Sequence, residues 1–222
     1  MDEIATQENL EKKSVEDHWL RYLFHNLLVK KIFFSSSKKL QDKILDLIIG
    51  QPKSILDVSC GDDDLVVRIC KKFKVEICVA NDLSPKLTSF IHDNTVKITY
   101  TNFNILSKPF VEKFDLVVCK NTLHHIPRSY QSSLIQYLLK ISNQLIIVDI
   151  EDPSRSTFRS KIWNWYYRTF LGDEGNCFLN FDSFKTFLSI EKKFILGEFS
   201  TLKGNYMYGT YSKSFNSDSS LT

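Results

Sequence analysis

The sequence lacks the features that mark secreted, membrane-spanning and metal-binding proteins. Its 222 residues include five cysteines, an odd number with neither a CxxC pair nor the spacing of a zinc cluster. The amino-terminal stretch MDEIATQENLEKK is acidic and polar, unlike a signal peptide. No apolar run approaches the roughly 18 residues that a membrane span requires. We therefore predict a cytoplasmic protein with reduced cysteines, no metal site and no integral membrane association.

A strong excess of one charge is also absent. The formal net charge is +3, which is too small to indicate a nucleic-acid partner by itself, and the basic pairs are scattered along the chain. Hydrophobic residues make up 43% of the chain and charged residues 25%, which are ordinary values for a globular protein. The sequence therefore predicts one domain with a sizeable core and no nucleic-acid partner.

The chain opens with helical periodicity and then alternates between strands and helices. Apolar residues recur at helical spacing from about Val15 to Phe34 and again from about Lys38 to Ile49, which predicts a helical cap over residues 1–50. Strands are predicted at 54–59, 75–82, 96–103 (VKITYTNF), 114–120 and 144–150. Helices are predicted at 64–73, 85–92 and 128–141. Continuous apolar strands separated by helices indicate a parallel sheet covered on both faces, and hence a doubly wound α/β fold.

The pattern changes after the fifth strand. An aromatic-dense helix at 154–171 and a second helical segment at 178–190 predict a helical lid at about 153–190, between strands five and six. Strands near 193–200 and 206–212 flank the turn signal Gly204-Asn205, which predicts an antiparallel hairpin. We expect a seven-stranded, mostly parallel, Rossmann-like sheet at 51–213 and a flexible tail at 214–222.

The first strand ends in an acidic turn, ILDVSCGDDD. Open α/β sheets bind ligands at the carboxyl ends of their strands. Three aspartates follow Gly61 where a dinucleotide would place phosphate, and the other glycines of GxGxxG are absent. Carboxylates at this position also suit the helix dipole, whatever the ligand. Because negative charge beside a pyrophosphate is unfavourable, the turn favours a phosphate-free nucleoside that carries a positive charge.

Asp82 ends the second strand, 25 residues after Asp57. This offset is near the roughly 20 residues at which an acidic residue grips a ribose in such folds. The alternative, a cap on the helix that begins at Pro85, is less favoured because Ser84 fills that role. We therefore predict that Asp82 binds a ribose.

Four segments in order make the chain similar to the class I S-adenosylmethionine-dependent methyltransferases, over roughly residues 53–150. They are ILDVSCGDDD, VANDLSPKL, TNFNILSKPF and FDLVVCKNTLHHI. The resemblance implies S-adenosylmethionine as cofactor, with Asp82 on the ribose hydroxyls, Leu83 beside the adenine and Lys120 near the methionine end. The residues expected to bind the cofactor are Asp57, Ser59, Gly61, Asp82, Leu83, Asn104, Ile105 and Lys120.

Three residues depart from the family's pattern. Ser59 and Asp63 replace its outer glycines, and Asn104 stands where the family often has an aspartate that contacts the adenine amino group. Asparagine can still accept one hydrogen bond through its carbonyl oxygen. These departures leave open a non-catalytic or degenerate binding or partner protein.

The resemblance implies in-line methyl transfer, in which positioning supplies much of the rate and a base is needed only for a protonated acceptor. His124 and His125 are the candidate catalytic residues, followed by Glu151 and Asp152 after strand five. A packing or capping role is the alternative for either histidine. The two histidines alone do not form a metal site.

The aromatic lid predicts a covered pocket for a small-molecule acceptor with an O or N nucleophile. Trp163, Tyr166 and Tyr167 are the expected substrate contacts, although aromatic residues at helical spacing often belong to a core. A nucleic-acid methyltransferase is disfavoured because KNTLHH lacks the D/N-P-P-Y/F motif of enzymes that act on base amines; a peptide or protein acceptor remains possible. The segment WLRYLFHNLLVKKIFF suits either packing over the cofactor site or contact with a membrane surface.

Overall fold

The structure, a computed structural model, describes residues 34–61, 63–83, 95–154, 158–170, 175–191 and 194–213. The helices are α1 (Phe34–Leu47), α2 (Leu65–Phe73), α3 (Arg128–Ile141), α4 (Phe158–Phe170) and α5 (Phe181–Glu191). The strands are β1 (Ser54–Asp57), β2 (Ile77–Asn81), β3 (Ile98–Thr101), β4 (Phe114–Lys120), β5 (Ser142–Ile150), β6 (Ile195–Ser200) and β7 (Asn205–Ser212).

Seven strands of the described residues form one sheet in the order β3-β2-β1-β4-β5-β7-β6. Strands β1 to β5 run parallel to one another, and β7 is inserted antiparallel between β5 and β6. This confirms the predicted mixed Rossmann-like sheet with its antiparallel carboxyl-terminal hairpin. The carboxyl ends of β1, β2, β4 and β5 consequently meet at one edge.

The central strands are buried on both faces, as their continuous apolar runs predict. Successive side chains of a strand point to opposite faces, so Ile55 and Leu56 of β1 enter two different core clusters. One cluster includes Ile44 of α1 and Ile69 of α2; the other includes Leu134 of α3 and the fully buried residues of α5. The helices therefore cover the sheet from both sides.

The second predicted amino-terminal helix corresponds to α1, and Gln144 fastens it to the sheet. The Gln144 side chain donates from Nε2 to the carbonyl of Leu47 (2.9 Å) and accepts at Oε1 from the N–H of Ile49 (3.2 Å). These bonds satisfy backbone groups at the end of the helix. The predicted helices at about 15–34 and 85–92 and the tail at 214–222 lie outside the described residues.

The prediction that all five cysteines are reduced is wrong for one pair. A disulfide joins Cys70 of α2 to Cys78 of β2, whose Cα atoms lie 6.9 Å apart. The pairing arises because α2 packs over the neighbouring β2, a tertiary contact that an eight-residue separation in the sequence does not reveal. The remaining cysteines, Cys60, Cys119 and Cys177, are free thiols.

Close packing between the lid and the sheet depends on one glycine. A Cβ atom on Gly209 of β7 would lie 2.5 Å from the side chain of Leu188, which is fully buried on α5. The absence of a side chain at this position lets α5 approach the antiparallel strand. In the described part of the chain, no helix is long and apolar enough to cross a membrane.

Candidate functional site

The turn after β1 is built by hydrogen bonds to its neighbouring strands. The N–H of Val58 donates to the carbonyl of Val118 (2.9 Å), and the N–H of Cys60 donates to the carbonyl of Asn81 (3.0 Å). The N–H of Gly61 donates to Oδ2 of Asp82 (2.9 Å). Gly61 has a φ of +60°, a conformation that favours glycine, so the single glycine kept in this turn has a structural reason.

Asn81 joins three segments at this edge and was missed by sequence reasoning. Its Nδ2 donates to the carbonyls of Val58 (3.3 Å) and Phe103 (3.1 Å), while its Oδ1 accepts from the hydroxyl of Thr101 (2.9 Å). The residue is 2% exposed, so these bonds are needed to satisfy a buried amide. The only sequence signal was a polar residue at the end of an apolar strand.

Lys120 ends β4 and forms an ion pair with Asp63, from the turn that follows β1. Lys120 is 5% exposed, which places its ammonium inside the protein. The other oxygen of Asp63, Oδ1, accepts from the N–H of Leu65 (3.0 Å) at the start of α2. The structure thus pairs Lys120, which was predicted to lie near the cofactor, with Asp63, a departure from the family's pattern that had no predicted partner.

Asp57 lies beside this pair and is fully buried. Neither of its carboxylate oxygens has a hydrogen-bond partner among the described residues, and the nearby Ser59 N–H contributes only a small favourable interaction. Burial raises the pKa of Asp57 from 3.8 to about 7, and the Lys120 ammonium offsets only part of that effect. A buried carboxyl with unused acceptors indicates a place for a donor from a ligand.

The segment after β3 supplies the groups predicted to face the adenine. Ile105 is buried, whereas Leu83 is 47% exposed at the same edge of the sheet. Oδ1 of Asn104 accepts from the N–H of Leu106 (2.9 Å), which fixes the side chain in a local turn. The predicted acceptor of Asn104 is thus partly engaged, and its amide Nδ2 can act as a donor.

A tight turn follows β4 and begins with Asn121, which has a φ of +51°. Asparagine tolerates this left-handed conformation better than most residues. Its N–H donates to the carbonyl of Val148 in β5 (2.8 Å), and its Oδ1 is buried with no hydrogen-bond partner among the described residues. Asn121 and Asp57 therefore both present unused acceptors at the ends of paired strands.

The two adjacent histidines have different environments. His124 is buried, its Nδ1 lies 2.6 Å from Oδ1 of Asp149, and its ring stacks on Phe178 at a centroid distance of 4.9 Å. Its carbonyl accepts from the N–H groups of Asn176 (3.1 Å) and Cys177 (2.9 Å). His125 is exposed. The geometry gives His124 a packing role that anchors the segment before α5.

The two acidic candidates after β5 each accept a hydrogen bond from a residue outside this histidine pair. Oε2 of Glu151 accepts from Nδ2 of Asn205 (3.1 Å), and Oδ1 of Asp152 accepts from the N–H of Ser154 (2.8 Å). Asp149, two residues earlier in β5, is the carboxylate that contacts His124. Only its position at the end of a strand singled it out in the sequence.

The residues predicted to contact the acceptor lie on α4. Tyr166 is half-buried, and burial raises the pKa of its phenol. The side chains of Trp163 and Tyr167 lie outside the described set, so their predicted contact with a substrate stays a prediction. Trp165 is 60% exposed and faces away from the described core. Within the described residues, no group of three His, Cys, Asp or Glu side chains is placed to hold a metal.

A phosphate-free nucleoside with a positively charged sulfur fits these groups. Among the residues that the structure describes, this edge offers three carboxylates, those of Asp57, Asp63 and Asp82, and the ammonium of Lys120. Their net charge suits a cation and opposes a phosphate. The unused acceptors of Asp57 and Asn121 suit an ammonium donor, and Asp82 is oriented at the edge by its bond to Gly61.

Residues 55–144 match the family described as "Methyltransferase domain". This match confirms a methyltransferase domain over most of the stretch, roughly residues 53–150, that the four sequence segments span. It contains every residue predicted to bind the cofactor and ends before the lid. No curated protein matches the sequence significantly.

Solved methyltransferases share the fold at low sequence identity. The magnesium protoporphyrin IX methyltransferase of Synechocystis PCC 6803, with bound S-adenosylhomocysteine (SAH), has a TM-score of 0.64 at 15% identity, over 93% of this chain and 97% of that one. An O-methyltransferase family protein from Burkholderia thailandensis has a TM-score of 0.67 at 14% identity, over 91% of this chain and 62% of that one. The N-methyltransferase NodS of Bradyrhizobium japonicum WM9, also with bound SAH, has a TM-score of 0.58 at 14% identity, over 78% of this chain and 85% of that one.

Proposed function

We propose that this protein, whose residues 55–144 form a methyltransferase domain, transfers a methyl group from S-adenosylmethionine to an O or N nucleophile of a small molecule. The observation that carries the proposal is the acidic edge of the sheet, where the turn after β1 meets Asp82 and Lys120. A site of this charge receives a sulfonium nucleoside and disfavours a phosphate-bearing cofactor.

We assign residues of the sheet edge to bind each part of the cofactor. Asp82, oriented by the Gly61 N–H, accepts from the ribose hydroxyls. Leu83 and Ile105 cover the adenine, and the amide of Asn104 hydrogen-bonds its edge. Asp57 and Lys120 lie at the end that carries the amino-acid group. Ser59, which is half-buried in the turn, presents its backbone or its hydroxyl to the same end.

The chemistry that the cofactor supplies when bound is an electrophilic methyl group on a sulfonium. The protein's contribution is positioning, which can supply about 7–11 kcal/mol of the barrier when the acceptor is held in line. We assign the role of base, for an acceptor that arrives protonated, to the exposed His125. His124 keeps that turn in place through Asp149, Asn176 and Cys177.

The acceptor contacts belong to the lid in this proposal. The segment at 175–178 lies against His124, and the half-buried Tyr166 precedes it on α4. We infer that Trp163, Tyr166 and Tyr167 form the apolar wall of the pocket. The solved relatives support a small acceptor by their names, since one acts on magnesium protoporphyrin IX and others on plantazolicin.

A transfer assay tests the acceptor class directly. Purified protein is incubated with S-adenosylmethionine that carries a labelled methyl group and with a cell extract separated into small-molecule, protein and nucleic-acid fractions. The proposal predicts label in the small-molecule fraction alone. Label in protein or nucleic acid would overturn the acceptor class but keep the methyl transfer.

A non-catalytic cofactor-binding protein is the second candidate. The departures in the turn after β1 favour it, because Ser59 and Asp63 stand where the methyltransferase family has glycines. This alternative predicts cofactor binding without transfer to any fraction of the extract.

A further inference from the structure

The ion pair between Lys120 and Asp63 lies where the structure collects its acidic groups. Lys120 is 5% exposed and Asp63 21% exposed, so most of both side chains is removed from water. Removing one partner of such a pair leaves the other charge uncompensated, which is strongly unfavourable. A ligand that enters this site must therefore preserve a counter-charge for both residues.

The surroundings of Lys120 contain more acceptors than donors. Of the described groups, three carboxylates, those of Asp57, Asp63 and Asp82, lie near the one ammonium of Lys120, and these four carry a net charge of −2 when all are ionised. Both oxygens of Asp57 and the Oδ1 of Asn121 are buried without a hydrogen-bond partner in the described part of the chain. An ammonium group, with three donors and no acceptor, complements such a set.

The pairing of β1 with β4 places these unused acceptors near Lys120. Asp57 of β1 pairs with Val118 of β4, two residues before Lys120, and Asn121 follows Lys120 directly. An ammonium placed among them would reach the same acidic groups that now hold Lys120. The two cations would then compete for Asp63.

We propose that the amino-acid end of the cofactor binds by exchanging partners with this ion pair: its ammonium takes Asp63 and Asp57, and its carboxylate takes Lys120. This inference rests on the proposed function and specifies how that site recognises one end of its cofactor. The amino-acid group is a zwitterion of zero net charge, so the exchange gives Asp63 a new cation and Lys120 a new carboxylate. A ligand with the amine alone would leave Lys120 without a carboxylate.

The first test compares two sulfonium ligands on the wild-type protein by calorimetric titration. S-adenosylmethionine carries both charges of the amino-acid group, and decarboxylated S-adenosylmethionine carries only the amine. We expect the carboxylate to tighten binding by at least about tenfold, the factor that corresponds to one charge-assisted hydrogen bond. Equal affinity for the two ligands would overturn the exchange and leave the proposed function standing.

The second test removes the lysine charge. In Lys120→Met the preference for S-adenosylmethionine over its decarboxylated form should fall to less than about threefold, because the carboxylate has lost its partner. Lys120→Arg keeps the charge and should keep part of the preference. Lys140→Met, an exposed lysine near the end of α3 and hence at the opposite edge of the sheet, is the matched control and should behave as wild type.

Three further results would contradict the exchange. An unchanged preference in Lys120→Met would assign the carboxylate to another group. Tighter binding of S-adenosylmethionine by Lys120→Met would make the lysine a competitor of the cofactor and not its ligand. If folded wild-type protein binds neither ligand, the exchange and the proposed function both fail, which separates this outcome from the other two.

Discussion

Asp57 and Asp82 are carboxylates at the same edge of the sheet, but their surroundings give them different properties. Asp82 is half-buried and accepts from the Gly61 N–H, whereas Asp57 is fully buried without a hydrogen bond among the described residues. Burial therefore raises the pKa of Asp57 to about 7. The carboxyl is partly protonated near neutral pH until a cation compensates its charge.

The raised pKa of Asp57 predicts a measurable dependence of stability on pH. The folded protein binds this proton more tightly than the unfolded chain, so the stabilisation is complete below pH 3.8 and is lost as the pH rises to about 7. Asp57→Asn should therefore gain free energy of unfolding relative to wild type over that window, by up to about 4 kcal/mol. Urea unfolding of both proteins at pH 4.5 and pH 8 measures the difference.

Two outcomes of the unfolding comparison bear on Asp57. A gap between Asp57→Asn and wild type that grows with pH supports a buried, unpaired carboxyl. A gap that is constant or shrinks as the pH rises would mean that Asp57 is ionised and paired in the folded protein.

We expect substitution by alanine to destabilise the protein strongly at His124 and only slightly at His125. His124→Ala removes the contact with Asp149 and the stacking on Phe178, so it should lower the free energy of unfolding by at least about 2 kcal/mol. His125→Ala, at an exposed position, should change it by less than about 0.5 kcal/mol. Thermal unfolding and SAH titration of both variants check this, and His125→Ala should keep its affinity for SAH.

A large loss of stability in His125→Ala, or a small one in His124→Ala, would reverse the two roles. Once an acceptor is known, His125→Ala should lower turnover by about a hundredfold if that acceptor arrives protonated. Unchanged turnover would show that positioning alone suffices.

At the scale of elements, the sequence patterns were most informative where packing and propensity agree. The predicted bounds of β4 and α3 match the structure, since an apolar run and a helical period are each flanked by clear breaks. Helix α1 begins several residues earlier than predicted, through a run of serines that propensity disfavours. There the Ser36 hydroxyl accepts from the N–H of Lys203 (3.2 Å), a tertiary contact.

Contacts between distant elements explain what sequence reasoning missed at the site. Lys120 and Asp63 are 57 residues apart, and Asp149 lies 25 residues after His124. Each residue type was visible in the sequence, and most of the positions were expected at the strand ends. The pairing was not visible, because it depends on how α2, β4 and β5 are placed in three dimensions. The disulfide between Cys70 and Cys78 has the same origin.

The hydrogen bonds of Gln144 allow a test of how much α1 depends on its attachment to β5. Gln144→Leu keeps the size of the side chain but leaves the Leu47 carbonyl and the Ile49 N–H without their partner. We expect a loss of about 1–3 kcal/mol in the free energy of unfolding, with unchanged affinity for SAH, because Gln144 lies at the opposite edge of the sheet. Urea unfolding measures the loss, and Gln51→Leu, at an exposed position, is the control.

Two outcomes would contradict the expectation for Gln144→Leu. A neutral Gln144→Leu would mean that α1 docks through apolar contacts alone. A weaker affinity for SAH in a folded variant would show that α1 supports the cofactor site, contrary to its place in the fold.

At the scale of the whole molecule, the sheet separates two kinds of recognition. The matched domain at 55–144 holds the groups proposed for the cofactor, on β1, β2, β4 and the segment after β3. The lid lies beyond that range and carries the residues proposed for the acceptor. This division explains why the family was evident from the sequence while the acceptor was not, since the recurring segments are all in the first part.

The binding of SAH to wild-type protein and to Asp82 variants, measured by calorimetric titration, tests the central claim most directly. The account predicts micromolar affinity for wild type, a loss of at least about tenfold in Asp82→Ala, and a smaller loss in Asp82→Asn, which keeps an acceptor for the Gly61 N–H. Asp46→Ala, an exposed carboxylate on α1, should bind as wild type. No binding by folded wild type, or equal binding by Asp82→Ala, would contradict the account.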